Sequence, residues 1–482
     1  MVYTELIVFV AYFLFMLGIG LVFFFRSKGG GEKDYFLGGR RMGPWVSALS
    51  AGASDMSAWV LMGLPASVYA AGMGQTWIAI GLAIGYALSW IFEAPRLRRF
   101  SIAAKDSITI PQYLTNRFLS ESRLLQLLCA LIFLIAYTVY AASSIKACGT
   151  LFHTVMSIDT NVAMYIAAFI IVAYTFLGGF SAVCWTDFFQ GLLMLAALLI
   201  APIFALALIN SGAMGQTAAL PEGYFSFATS WQDVLSGLGW GLGYFGMPHI
   251  LIRFMSIKTE KDLRKSSIIG ICWTLIILTM SVAAGVVGRI FLGEIQDSST
   301  VFITMVRKIF PALVSGLLLS AILSAAMSTA DSQLLTSASA FASDVYKPML
   351  RKAASNREML WVSRIIVLAI ALVALLIASN PNSGTIMGLV ENAWGVFGAA
   401  FGPVILLSLF WKRLTFAGAA AGIIAGAGVD ILWLVCLSST GVYEIVPGFA
   451  AGLIAAVVVS LCGRKPDEAV EALFDRASRP EH

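Results

Sequence analysis

Thirteen apolar stretches of roughly helix-spanning length divide the 482-residue chain, and about 17–25 predominantly apolar residues suffice to cross a bilayer as a helix. They fall near 4 to 25, 44 to 70, 75 to 95, 122 to 150, 161 to 178, 186 to 209, 230 to 252, 267 to 291, 311 to 345, 361 to 380, 386 to 410, 415 to 437 and 443 to 462. Hydrophobic residues make up 59% of the chain and charged residues 12%, far from the composition of a soluble domain. The expected fold class is an all-α polytopic membrane protein embedded in a lipid bilayer.

Lysine and arginine accumulate in cytoplasmic loops. Assigning alternate loops to the inside collects 27 of the 31 basic residues there, including five from Arg26 to Arg41, six from Arg96 to Arg123 and five from Arg253 to Lys265. Only Lys146, Arg289, Arg307 and Lys308 fall in or near outside segments. The N-terminus is therefore expected outside and the C-terminus inside. The net charge of +5 describes topology and gives no support for nucleic-acid binding. The six cysteines lack CxxC spacing and lie mostly in spans, as small buried hydrophobes do. Thr4 to Phe25 is long for a signal-peptide core and lacks a basic leader, so it reads as a retained span. The charged tail after Cys462 is too short for a nucleotide-binding module, and no phosphate-binding glycine motif is present.

Within the second span, Ser50-Ala-Gly-Ala-Ser-Asp-Met-Ser-Ala-Trp59 places Asp55 near mid-depth. A carboxylate costs a few kcal/mol or more there, so it faces a hydrated cavity or a cation, or caps a helix start. Irregular backbone at that depth lines a site. The seventh span has a second interruption, five glycines between Gly237 and Gly246 followed by Pro248. Glycine weakens a helix by about 1 kcal/mol each, and proline removes a donor. Pocket wall and close helix packing both remain open for this glycine run. Two breaks five spans apart cross in opposite directions, which is the pattern of five helices repeated with inverted topology around a central site.

The ninth span repeats hydroxyls at Ser320, Ser324, Ser328, Ser332, Thr336, Ser339 and Ser343, along one helical face. Most fit back-bonding or helix contacts. Around Ser328 and Thr329, however, Asp331 and Ser332 add oxygen density suited to Na+ or H+, and scarce His and Cys disfavour a transition metal. His153 and His249 stand apart and are not expected to hold metal. Asp187 begins the sixth span just after Gly178-Gly179, as a cap, a gate element or an ion ligand. Glu391 and Asp430 lack an oxygen-rich neighbourhood and read as structural.

Four motifs in order resemble the sodium:solute symporter family, most closely its bacterial sodium/proline branch. They are Ser50 to Trp59, Tyr174 to Gln190, Gly237 to His249 with Arg253-Phe-Met, and Ala325-Ala-Met-Ser-Thr-Ala-Asp-Ser-Gln-Leu-Leu335. The resemblance covers essentially the whole chain. It implies a LeuT-like 5+5 inverted-repeat core with one helix before and two after. The expected organisation is thus residues 1–43 for the first helix and loop, 44–210 and 229–412 for the two repeats, and 413–482 for two added helices and a tail.

By the same resemblance, Na+ is held by the carbonyls of Ala53, Met56 and Ala325 and the hydroxyls of Ser328 and Thr329. A second cation site corresponds to Asp187, Ser328, Asp331 and Ser332, with Asp331 replacing a hydroxyl. The implied substrate contacts are Asp55, Ser57, Tyr140, Trp240, Tyr244 and Pro248. At Met247 the pattern departs from the glutamine of proline-transporting members. The implied function is Na+-coupled uptake of L-proline by alternating access in the bacterial cytoplasmic membrane, with no organic cofactor and no enzymatic activity. The alternatives are a Na+- or H+-coupled symporter of another amino acid, a carboxylate or a sugar, and, remotely, a transporter-like membrane sensor.

Overall fold

The structure, a computed structural model, describes residues 2–26, 32–176, 179–212 and 220–479. Each of the thirteen expected spans has a helical counterpart. Helix α1 (Val2–Arg26) leads into a split second span, α2 (Pro44–Asp55), a tight turn at Ala58–Val60 and α3 (Gly63–Ala71). Next come α4 (Thr76–Leu88), α5 (Leu124–Met156), α6 (Thr160–Thr175) and α7 (Phe180–Asn210). The seventh span is split into α8 (Trp231–Gly239), a turn at Trp240–Phe245 and α9 (Pro248–Ser256). Then follow α10 (Glu260–Leu292), α11 (Ala312–Ser339), α12 (Asn356–Ser379), α13 (Ile386–Phe410), α14 (Phe416–Cys436) and α15 (Ile445–Cys462).

Local chemistry explains both breaks. Pro44 opens α2, where its missing N–H is not needed. The helix stops when Met56 N–H closes on Gly52 O at 2.8 Å and Ser57 turns extended, its hydroxyl capping the next turn at Trp59 N. In the second break Pro248 cannot continue the preceding hydrogen bonds and instead occupies the first position of α9. The glycines permit close packing. A Cβ on Gly243 would fall inside the Trp394 indole, so this backbone packs directly on an aromatic ring. One on Gly241 would strike the backbone of Gly81, so α4 and the broken span also approach as closely as their chains allow.

Large apolar side chains such as Phe169, Leu376 and Val435 point outward, each more than 70% exposed, which is stable only against hydrocarbon. The polar residues lie inside. Helix α11 is buried along nearly its whole length. Loops that the charge pattern assigns to one side meet at one end of the bundle. There Arg40 donates to Ser107 O at 2.8 Å, Arg98 to Ile257 O at 2.9 Å and Arg96 to Leu409 O at 2.9 Å. Lys146 donates to Ser383 and Arg289 to Tyr69 at the opposite end.

Several boundaries differ from expectation. The sixth span starts at Phe180, so Asp187 lies two turns inside α7 and is fully buried; Gly178 lies outside the described residues. Arg253 is not a loop charge. It belongs to α9 and is 1% exposed. The third span runs on through Ser89–Glu93 into a helix at Ala94–Ala103, and the tail forms a helix, Glu468–Ser478, whose Phe474 ring meets Phe100. A short helix at Val301–Ile309 carries Arg307 and Lys308.

Candidate functional site

The last turn of α2 leaves carbonyls without intrahelical partners. Two of them are taken by side chains from elsewhere. Ser328 Oγ of α11 donates to Ala53 O at 2.8 Å and lies 3.2 Å from Ala325 O. Thr329 Oγ1 beside it is buried without a partner. Ala53, Ala325 and Ser328 therefore converge, Thr329 offers a spare hydroxyl, and Met56 carries the next carbonyl past the helix end. Among the described residues no hydrogen bond joins Met56 to α11. Carbonyl and hydroxyl oxygens are hard donors, and the C-terminal end of a helix is electronegative, so this arrangement fits a small alkali cation.

On the other side of the same break, Asp55 Oδ2 accepts from Tyr244 OH at 2.6 Å, while Asp55 Oδ1 is buried without a partner. The Asp55 carbonyl accepts from Trp59 Nε1 at 3.3 Å and Tyr140 OH at 3.4 Å. Aromatic walls follow. Tyr244 packs edge-on to Tyr86 and Trp394 with ring centroids 5.1 and 5.0 Å apart, and Trp240 lies 6.5 Å from Trp59. The structure thus links Asp55, Tyr140 and Tyr244 directly, puts Ser57 in the break and sets Trp240 against it. Pro248 begins the helix that continues from Tyr244, and the adjacent Met247 is fully buried.

Asp187, Asp331 and Ser332 gather around a residue that sequence reasoning missed, Arg253. Its Nη2 donates to Asp187 Oδ2 at 2.8 Å and to Ser332 Oγ at 2.6 Å, its Nε to Ser50 Oγ at 2.8 Å, and its Nη1 to His249 O at 2.6 Å. Ser50 in turn donates to Asp187 Oδ2 at 2.6 Å. Asp331 Oδ1 accepts from Ser332 Oγ at 3.3 Å, and among the described residues Asp187 Oδ1 and Asp331 Oδ2 have no hydrogen-bond partner. The cluster holds two carboxylates and one guanidinium. A basic residue inside the Gly237 to Met255 motif was the available signal.

The hydroxyl stripe divides by role. Ser320, Thr336 and Ser339 bond to carbonyls of their own helix, whereas Ser324 meets Tyr12 at 2.9 Å, a hydroxyl that Gln190 also reaches. Tyr137, one turn from Tyr140, accepts from His249 N–H and pairs with its Nδ1, each at 3.1 Å. His249 accordingly braces α9 against α5.

Residues 35–426 match the model of the sodium:solute symporter family. The chain belongs to that family. This makes it a solute transporter rather than an enzyme, with sodium as the coupling ion. Among curated relatives it is 42% identical to the high-affinity proline transporter PutP of Bacillus subtilis (strain 168), over 95% of this chain and 98% of that one. It is 43% identical to the osmoregulated proline transporter OpuE of the same organism, over 96% of both chains. The sodium/proline symporter of Staphylococcus aureus (strain USA300) is 42% identical over 95% of this chain and 93% of its own. Among solved symporters, a Na+-coupled sialic acid symporter in a substrate-bound outward-open state superposes with a TM-score of 0.79 at 21% identity, over 96% of this chain and 99% of that one. Mhp1, a nucleobase-cation-symport-1 family transporter, gives 0.56 at 14% identity, over 91% and 97%. These likenesses establish the LeuT-like symporter fold.

Proposed function

We propose that this symporter takes up L-proline together with Na+ by alternating access. One observation carries the reading: Ala53, bonded to Ser328, and Asp55, bonded to Tyr244, stand two residues apart on one broken turn. A cation and a solute bound there would share the same backbone. The relatives near 42% identity that are named for proline transport support the choice of solute.

In the proposed cycle, Na+ entering at Ala53, Met56, Ala325, Ser328 and Thr329 orders the break. The solute then binds against Asp55, Ser57, Tyr140, Trp240, Tyr244 and Pro248. Aromatic faces enclose the pyrrolidine ring and attract its ammonium, while exposed donors at a helix start receive the carboxylate. Coupling arises because Na+ binds more tightly when the solute site is formed, and the solute reciprocally raises Na+ affinity. Asp187, Ser328, Asp331 and Ser332 belong to a second monovalent cation position for Na+ or H+. Supporting this, the two carboxylates exceed the single charge of Arg253 and each keeps an unpartnered oxygen.

The two repeats span 44–210 and 229–412. The chain lies in the bacterial cytoplasmic membrane with its N-terminus outside, an orientation supported by the charge pattern. A different small solute is favoured only by Met247, an apolar thioether where an amide is the expectation. Purified protein in liposomes, with an imposed inward Na+ gradient and labelled L-proline against a panel of amino acids, carboxylates and sugars, tests the reading. Gradient-driven accumulation of proline is expected. Failure of proline to enter or compete removes it as the substrate.

A further inference from the structure

At the bundle end opposite Arg40 and Arg98 lies a cavity of about 370 Å³, and Trp240 forms part of its wall. Its chemistry is one-sided. Glu391, Glu444 and Asp233 line it, and among the described residues no lysine or arginine does. Glu391 and Gly395 are one turn apart on α13, and a Cβ placed on Gly395 would lie 2.9 Å from Asp430 Oδ1 and 3.3 Å from Glu444 Cγ. Helix α13, helix α14 and the residue that caps α15 therefore bring Glu391, Asp430 and Glu444 close together, with Glu391 and Glu444 lining the cavity and Asp430 beside Gly395. Glu444 is only 7% exposed and its Oε1 has no partner; both oxygens of the fully buried Asp430 are likewise unpartnered. Buried carboxylates without a donor or cation are costly.

The remaining wall is aromatic. Trp240 and Tyr443 lie 5.1 Å apart between ring centroids, tilted by 38°, with Trp77 lining the same space. A bare alkali ion gains little from such walls, because it needs a close shell of oxygens. A bulkier, weakly hydrated cation gains from both carboxylate and ring face. The volume also falls in the range of small-molecule sites.

We propose that this cavity is a second ligand site, selective for organic ammonium groups, including the ammonium of the zwitterionic solute. Trp240 is the partition between the two sites. Its ring lies 5.1 Å from that of Tyr443 and 6.5 Å from that of Trp59 between centroids, and its carbonyl is fixed by Trp394 Nε1 at 2.8 Å. A solute held in the cavity is thus one ring away from Asp55. The staging role rests on the proposed proline uptake and outside orientation; the binding of ammonium groups does not.

The test is equilibrium dialysis of labelled tetramethylammonium against the purified full-length protein in nanodiscs, without Na+ or proline. Saturable binding to the wild type is expected, weakened about tenfold in Glu391→Gln and in Glu444→Gln and retained in Asp55→Asn. The two carboxamides preserve shape, and thermal unfolding in parallel identifies a variant that has lost its fold, leaving the other to decide. No binding to the wild type, equal binding to wild type and folded glutamine variants, or loss only in Asp55→Asn each overturns the proposal. In a separate arm, external tetramethylammonium should inhibit labelled proline uptake less in the glutamine variants. Dialysis as expected without proline uptake would leave this site standing and remove the proline reading alone.

Discussion

Ser328 Oγ donates to the carbonyl of Ala53 across 2.8 Å, tying the middle of α11 to the frayed end of α2. The contact ties the break to α11 at the position where the cation is proposed, with the unpartnered Thr329 hydroxyl alongside. Losing one polar partner from a buried site costs about 1–3 kcal/mol. Ser328→Ala and Thr329→Ala are each expected to raise the Na+ concentration for half-maximal uptake by about tenfold, since 1.4 kcal/mol is a factor of ten. At saturating Na+ the solute KM should change much less. Unaltered Na+ dependence in both variants would place the cation elsewhere.

Tyr244 holds Asp55 by a single 2.6 Å hydrogen bond, and the other carboxylate oxygen has no protein partner. Bonds to charged groups contribute about 1.5–3 kcal/mol. Tyr244→Phe should therefore raise the solute KM by roughly ten- to a hundredfold at saturating Na+. If the Asp55 carboxylate receives the solute ammonium, Asp55→Asn has a larger effect than Tyr244→Phe. Transport assays at fixed high Na+ decide the order, and a smaller effect of Asp55→Asn assigns the carboxylate to organising the break.

Arg253 is committed on every side, to Ser50, Asp187, Ser332 and the carbonyl of His249. Removing one member of a buried charge pair typically costs about 3–5 kcal/mol, because the other is left uncompensated. Arg253→Met is expected to lower the thermal transition of the detergent-solubilised protein. Combining it with Asp187→Asn should recover part of that loss. Strictly additive losses would mean that the pair is not energetically coupled.

Spans and breaks were legible in the sequence because hydrophobic runs, proline and glycine act locally, whereas the pairing of α2 with α11 came from the family resemblance. Hydroxyl spacing alone marked α11 as polar, and the contact of Ser328 with Ala53 is long-range and carries no local signal. Arg253 was illegible for a different reason. One residue past an apolar run, it resembles a positive-inside loop charge, and only α9 turning inward toward Asp187 buries it. Asp187 was misplaced because helical Phe180 to Thr186 precedes it where a boundary was expected. Asp430 on α14 and Glu444, which caps α15, have no local spacing signal, and become neighbours only when both pack against Gly395.

Arg40 closes the end of the bundle opposite the large cavity. Its Nε meets Asp106 Oδ1 at 2.9 Å, its Nη2 donates to Ser107 O, and Nη1 reaches Met255 O; Met42 N–H also bonds Ser256 O at 3.3 Å. Beside Arg253 and Ser339 lies a small cavity of about 10 Å³. Asp106 is 44% exposed and also pairs with Lys33, so its pairing contributes at most about 1 kcal/mol. Asp106→Asn should shift the balance toward opening at this end by up to about fivefold, the factor corresponding to 1 kcal/mol. Alkylation of a cysteine introduced by Ser339→Cys reads the shift directly. Its rate should rise in the Asp106→Asn background; an unchanged rate would show that Asp106 does not hold the closure.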